Sequence, residues 1–388
     1  MIGGGLAGLV ASIAAAEAGA RVRLYEAHST LGGRARTSPP PYVAHDGPHV
    51  LYADGPLWAW LREREVLGDA PGVPLRVAAV SYFRHDGRLH RRPPLPLIRM
   101  LTTGRREKAP VDRSFADWAG ERFGVPAAGL AANLMGVATF DADPGRLSAA
   151  FVWERLLRVS AVPPATRYLI GGWGGLVGRL AERAAGLGVV IETDQRMDAL
   201  PEPPVIVATS LPAARQLLGD DSLRWTSGRT VLWDLAVSSR RGDAFIVSDL
   251  DEAGWLERFS LPDPSLAPPG ESLVQAQLPL RAGESKSDGL ARLEPMVDLA
   301  LPGWRDRLTW QRTAVADARS GALDLPGQTW RDRPAVDRGD GVYLAGDQVA
   351  APGLLSEVSF NSALTAAAGS VDHERSGRFE RSNRPSSS

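Results

Sequence analysis

Gly3-Gly4-Gly5-Leu6-Ala7-Gly8, with Met1-Ile2 before it and Leu9-Val10 after it, decides how the rest of the chain is read. Gly3, Gly5 and Gly8 stand at the G-x-G-x-x-G spacing. Between a strand and a helix, the first glycine permits a tight turn and the second lets backbone N–H groups approach a phosphate. The third lets helix and strand pack closely, and the helix start adds partial positive charge. Residues 6–18 carry Leu9, Val10 and Ile13 among alanines at helical spacing, and Gly19 suits the C-terminal cap. Val22 and Leu24 then belong to a strand ending at Glu26. That carboxylate lies eighteen residues past Gly8, close to the spacing of about 20 at which an acid meets ribose hydroxyls. It also disfavours a 2′-phosphate. A lone glycine fingerprint serves packing as readily as phosphate binding; Glu26 turns the reading toward a dinucleotide site. Leu6 and Ala7 inside the turn, and Ala27 after the acid, belong to the same candidate set. One feature is out of place. Only Met1 and Ile2 precede the first glycine, where a central strand should stand, so the rest of that strand is expected upstream of Met1.

The chain has 388 residues, enough for two or three domain-sized bodies, with 44% hydrophobic and 23% charged residues. The net charge of -1 gives no global field for nucleic acid or an anionic membrane. No cysteine is present, which excludes disulfides, thiolate chemistry and a cysteinyl link to a cofactor. No secretory leader pattern or membrane-length apolar run is seen, and a soluble, cytoplasmic protein is expected.

After Arg36 the pattern loosens into Ser38-Pro39-Pro40-Pro41, an extended connector, and 58–66 reads as a short helix. Residues 77–83 are strand-like and turn at Asp86-Gly87. Helices are expected at 115–123, 126–135 and 147–159. From about 168 the chain reads as α/β again: Gly171-Gly172-Trp173-Gly174-Gly175 opens a helix, and 189–191 and 205–208 are strands. Strands at 231–237, 245–247 and 273–278 and a helix over 290–301 follow. Val342-Tyr343-Leu344-Ala345 is a strand running into Gly346-Asp347, residues 357–368 are helical, and the polar tail 372–388 is expected to be disordered. The pieces 1–75, 166–222 and 326–371 would form one discontinuous nucleotide-binding domain, with 76–165 and 223–325 forming a second body.

Two further motifs extend the glycine turn. Gly32-Gly33-Arg34 lies six residues past the ribose acid, where a long cofactor would run on. Its glycines permit close approach and Arg34 can neutralise phosphate. As a bland alternative it is a surface turn with a solvated cation. Gly346-Asp347 follows a hydrophobic strand and precedes Pro352-Gly353 and a small-residue helix. A carboxylate there can hold a ribityl chain while the helix start faces the electron-rich end of an isoalloxazine.

Together Gly3–Leu9, Glu26-Ala27, Leu31-Gly32-Gly33-Arg34-Ala35, Gly171–Gly174, Val205–Thr209 and Tyr343–Asp347 resemble the FAD-dependent amine oxidase, phytoene desaturase and protoporphyrinogen oxidase superfamily. The resemblance implies an α/β fold: a Rossmann-like, glutathione-reductase-like FAD-binding domain with an inserted α+β substrate domain. It implies that Glu26 binds the adenosine ribose, Arg34 runs beside the pyrophosphate and Asp347 meets the ribityl chain. Backbone near Met197 would meet the adenine. Backbone around Gly47-Pro48-His49-Val50 and Leu355-Ser356 would face the flavin.

Departures from the family pattern narrow the substrate. Amine oxidases of the polyamine type carry a lysine on a strand near the flavin, yet the candidate strands here hold none, and Lys286 is placed in a polar turn. An aliphatic Leu355 stands where a flavin-facing aromatic is expected. The expected reaction is therefore a two-electron oxidation of an apolar or ring-shaped small molecule, with a flavin amine oxidase and a non-catalytic escort-type binder as the alternatives. No catalytic acid or base is assigned. His49 reads either as a flavin-facing group or as a satisfied buried histidine. Asp249 and Asp251, beside Glu252 and without histidine partners, read as a solvated turn. The stretch from His90 to Arg106, basic at both ends and apolar between, is expected to be an extended linker on the protein surface, with a peripheral membrane contact at a lipophilic entrance as the alternative. No metal motif is present.

Overall fold

The computed structural model describes residues 1–47, 50–73, 75–317 and 321–382. Its first body is a parallel sheet assembled from distant pieces of chain. The strand Arg23–Tyr25 pairs with Val190–Glu192, and Val205–Val207 pairs with Val342–Leu344, both in parallel. Met1–Gly3 fills the slot between the two pairs. Ile2 bridges Tyr25 on one side and Val207 on the other. Its N–H donates to Ile206 O at 2.9 Å, and the Gly3 N–H donates to Tyr25 O at 2.7 Å. The central position expected to lack its strand is thus held by this three-residue stub, with Ile2 buried.

The helix Leu6–Glu17 buries Leu9, Val10 and Ile13 completely. Two glycines let it start where it does. A Cβ on Gly8 would lie 1.9 Å from Gly3 O, and one on Gly3 would lie 2.5 Å from Ala208 O. Ala18 caps the helix, and Gly19 follows at φ +93°. Against it packs the long C-terminal helix Ser356–Ser382, whose Ala363, Ala366 and Ala367 belong to the same core. That helix corrects the expectation of a disordered tail from 372. It is anchored by the Tyr343 hydroxyl on Gly369 O at 2.9 Å, and it runs on through the polar residues to Ser382. Residues 383–388 lie outside the described residues.

The second body is a seven-stranded sheet ordered Leu308–Asp317, Arg229–Ser238, Glu271–Pro279, Trp255–Glu257, Ile246–Asp249, Ser81–His85, Arg88–His90. Neighbours run antiparallel except Ser81–His85 beside Ile246–Asp249. Alternation along Arg229–Ser238 sends Val231, Trp233, Leu235 and Val237 into a core under the helix Lys286–Ala300. Asp234 lies on the opposite face and is equally buried.

Several local expectations shift. The turn of 3-10 helix Leu75–Val80 precedes the strand, which begins only at Ser81. Lys286 is the first residue of a helix capped by Ser285, and its Nζ donates to Thr313 Oγ1 at 3.1 Å. The stretch expected as an extended linker contains the helix Leu95–Thr103, with Leu97 and Met100 buried. Its Pro94 and Pro96 fall at the cap and first turn, where a helix needs no N–H. Asp249 is a buried partner of Arg84 at 2.7 Å rather than a solvated acid; burial raises its pKa against the pull of Arg84. Asp251 accepts from the N–H groups of Asp86 and Gly87 and lies 3.5 Å from His85, a histidine neighbour the linear pattern did not show.

Candidate functional site

The first turn of the helix Leu6–Glu17 has neither a side-chain cap nor an acidic residue. Its orphan N–H groups are therefore left to a ligand or solvent. Gly3 and Gly8 are glycines because packing leaves no room for a Cβ. Gly5 is different: a Cβ there would meet nothing nearer than Gly32 O at 3.8 Å. Packing does not demand glycine at that position, which borders the space before the helix start. Gly32-Gly33-Arg34 forms the facing wall, held by the Gly32 N–H on Gly4 O at 2.8 Å and a bridge between Gly5 and Gly32.

Glu26 closes the turn from the side. It is 6% exposed. Its Oε2 accepts from the Gly4 N–H at 2.8 Å, and its Oε1 lies 3.0 Å from the His28 N–H and 2.7 Å from His28 Nδ1. Burial works to raise its pKa, but the His28 and backbone hydrogen bonds prevail and hold it below the usual carboxylate range. His28 went unnoticed in the sequence, where it follows Glu26 by two residues with no motif of its own. The segment leading to Met197 crosses the same strand ends, through the Gln195 N–H on Glu26 O at 2.8 Å and the Asp194 N–H on His28 O at 3.0 Å. Met197 itself packs partly buried on the core.

Arg34 forms an ion pair with Asp347, joining residues 313 apart in the chain. Asp347 sits just past the strand Val342–Leu344 and Ala345, at a turn fixed by the Gly346 N–H on Ser362 Oγ at 2.9 Å. Asp347 borders a small cleft lined chiefly by Phe151, Arg155, Leu323, Arg333 and Leu355. Leu355 has φ +53°, a conformation a bulky residue adopts only where its surroundings impose it. Ser356 after it starts the long helix, whose Glu357 accepts from the Leu354 N–H and pairs through both oxygens with Arg158, at 2.6 and 2.7 Å.

The structure thus brings Gly3, Gly5, Leu6, Ala7, Gly8, Glu26, Gly33, Arg34, Gly346 and Asp347 to one side of the sheet, and carries Asp347 on to Leu355 at the cleft. Ala27 continues from Glu26 beside them. Val50 does not line the cleft; it pairs with Tyr168 and packs in a separate cluster with Phe245 and Phe259. His49 lies outside the described residues.

Sequence reasoning missed the buried polar groups of the second body. Asp234 accepts from Gln275 Nε2 at 2.7 Å and pairs with Arg312 at 2.8 Å, while Gln275 and Arg312 both donate to His45 O. Burial pushes the Asp234 pKa up to about 6 despite Arg312. Arg155 and Arg333 in the cleft were missed as well. Each stands in a helical or turn segment whose linear pattern carries no signal beyond a charge.

The chain matches the model of an NAD(P)-binding Rossmann-like domain over residues 1–64. No curated protein matches it in sequence. Among solved structures, an oxidoreductase from Methanosarcina mazei shares 17% identity at a TM-score of 0.73, with 95% of this chain and 98% of that one covered. Cyclohexylamine oxidase from Brevibacterium oxydans shares 16% identity at 0.70, with 96% and 98% covered. The chain shares its overall fold with both of these structures. A Rab GDI from Plasmodium falciparum is also similar, at 11% identity and a TM-score of 0.56 over 95% of this chain and 96% of that one. The expected two-body α/β architecture is borne out, and one fold accommodates both oxidases and a GDI. Among the described residues no helix is long and apolar enough to cross a membrane.

Proposed function

We propose that the chain is an FAD-dependent oxidoreductase that removes two electrons from a small, largely apolar substrate held in the cleft beside Asp347 and Leu355. The observation that carries this reading is the continuity of the fitting residues. An uncapped helix start with open space at Gly5, a carboxylate at Glu26, and Arg34 beside Asp347 form one path from the glycine turn to the cleft. A nicotinamide dehydrogenase would use the first half of that path and leave the second without a role.

FAD, when bound, supplies the two-electron acceptor. The protein's own groups bind and orient. The amides at Gly5–Ala7 and the helix start would hold the pyrophosphate, Arg34 would neutralise it, and Glu26 would accept the ribose hydroxyls. Asp347 would hold the ribityl chain once Arg34 turns to phosphate. Phe151, Leu323 and Leu355 shape an apolar wall that orients substrate and excludes water.

An amine substrate fits this cleft poorly. Two guanidinium groups, Arg155 and Arg333, line it, and Lys286 is engaged with Thr313 at the start of a helix. The GDI likeness favours a second reading, a non-catalytic binder, against which Glu26 and the Arg34–Asp347 pair weigh. The visible spectrum of the purified protein separates them. A yellow protein, bleached anaerobically by a polyene or other unsaturated substrate, is expected. A preparation that remains colourless after incubation with FAD rules the flavoenzyme reading out. Glu26→Ala should weaken FAD retention by about 1–3 kcal/mol through the unpaired ribose hydroxyls. Equilibrium dialysis against FAD measures it, and unchanged retention removes Glu26 from the site.

A further inference from the structure

Three arginines near the cleft differ in how their charge is met. Arg333 is 4% exposed and pairs with Asp324 through Nε to Oδ1 at 3.0 Å and Nη2 to Oδ2 at 2.8 Å, occupying both carboxylate oxygens. Arg158 pairs with Glu357 and Asp54. Arg155, one helical turn before Arg158 on Ala149–Val159, has no carboxylate within 4 Å among the described residues, although it is only 7% exposed. Its guanidinium stacks over the Phe151 ring with Cζ 3.4 Å from the centroid, and Nη1 donates to Phe151 O at 2.9 Å. It lines the cleft together with Asp347 and Leu355.

A buried cation without a counter-ion is costly unless something else completes it. Burial pulls the Arg155 pKa down to about 10, so the group is still charged at neutral pH. Stacking on Phe151 fixes the plane of the guanidinium and leaves most of its N–H fork unused by Phe151 O. Such a fork matches a carboxylate.

We propose that Arg155 is the carboxylate receptor of the cleft, so that the substrate is an unsaturated, apolar molecule carrying a carboxylate. The inference rests on the reading of the cleft as the substrate site. Arg155 does no chemistry in this scheme; it determines which molecules are held and in what orientation. Arg333 cannot take this part while Asp324 occupies it.

Calorimetric titration of the purified, flavin-bearing protein with trans-cinnamate and its uncharged isostere trans-cinnamamide tests the proposal. Cinnamate is expected to bind at least tenfold more tightly than the amide. Arg155→Gln should abolish that preference by weakening the acid alone, and Arg155→Lys, keeping the charge but losing the planar fork, should weaken the acid to an intermediate degree. Should Arg155→Gln fail to fold, the wild-type preference and the Arg155→Lys titration still decide. Equal binding of acid and amide by the wild type, or no detectable binding of the acid, overturns the proposal. So does an Arg155→Gln protein that keeps its acid affinity; an accompanying change in flavin midpoint potential would assign the guanidinium to the cofactor instead. Selective cinnamate binding by a protein that takes up no flavin would uphold the receptor and defeat the flavoenzyme reading. A yellow protein with no acid preference would do the reverse.

Discussion

The glycine turn at Gly3–Gly8 and the cleft at Arg155 and Arg333 both present positive charge, but they generate it differently. The turn uses backbone N–H groups and the end of a helix, partial charges already paid for by folding the helix itself. The cleft uses whole guanidinium groups taken out of water, one completed by Asp324 and one not. A backbone site needs only small residues in the right order, so its requirements are local. A side-chain site needs partners from elsewhere: Asp324 and Arg333 come from a different piece of chain than Arg155. Removing a group should therefore act through sterics at the turn and through stranded charge at the cleft.

The largest expected effect lies in the cleft. Arg333→Met leaves the Asp324 carboxylate buried without its cation and should lower stability by about 3–5 kcal/mol, read from urea unfolding. Arg333→Met combined with Asp324→Leu should recover most of that loss. A single variant as stable as the wild type would mean that Asp324 is neutralised by another group, and the contrast between paired Arg333 and unpaired Arg155 would collapse. At the turn, Gly8→Ala forces a Cβ to within 1.9 Å of Gly3 O, a backbone atom that cannot step aside. A loss of about 3 kcal/mol is expected by the same measurement.

The contrast recurs in two buried carboxylates. Glu26, fed by backbone N–H groups and His28, is held below its usual range. Glu257, in the sheet of the second body, receives the Tyr168 hydroxyl and the Trp255 Nε1–H as its only donors among the described residues, and burial pushes its pKa up to about 7. Between the ordinary 4.5 and about 7 the folded protein therefore keeps a proton that the unfolded chain has released. Stability falls as pH rises through that window, by about 3 kcal/mol. Glu257→Gln should remove the slope and be the more stable form at pH 8. Thermal melts at pH 5 and pH 8 check this, and parallel curves for the two proteins would show that Glu257 is ionised in the fold.

These differences also explain what could be read from the chain. The order of Gly3–Gly8, Glu26, Gly32–Arg34 and Gly346-Asp347 was legible because each motif is built from neighbours in sequence. The helix 115–123 was legible too, from its local pattern, while its capping Ser114 emerged only in the structure. Arg155, Arg333 and Asp234 were not, since a buried charge and a solvated one look alike until the partner is placed. The helix Leu95–Thr103 was hidden by prolines that read as breakers but serve at its start. The tail was hidden by its polar composition, which does not reveal that Leu6–Glu17 supports the preceding turns of the same helix.

The smallest expected change in stability is the sharpest probe of the turn. Gly5 has a β-region backbone at φ -78°, accessible to any residue, and a Cβ there meets no atom within 3.8 Å. Gly5→Ala should therefore alter unfolding stability by less than about 1 kcal/mol, since alanine also narrows the unfolded ensemble. Its methyl group would nonetheless stand in the space before the uncapped amides, where a pyrophosphate must approach closely. Unfolding and equilibrium dialysis with FAD, run on the same preparation, should separate: stability nearly unchanged, FAD retention strongly reduced. Loss of both together would make Gly5 a packing glycine like Gly8. Loss of neither would mean that the space before the helix is not where the cofactor binds, and the difference between Gly5 and its neighbours would then have no bearing on function.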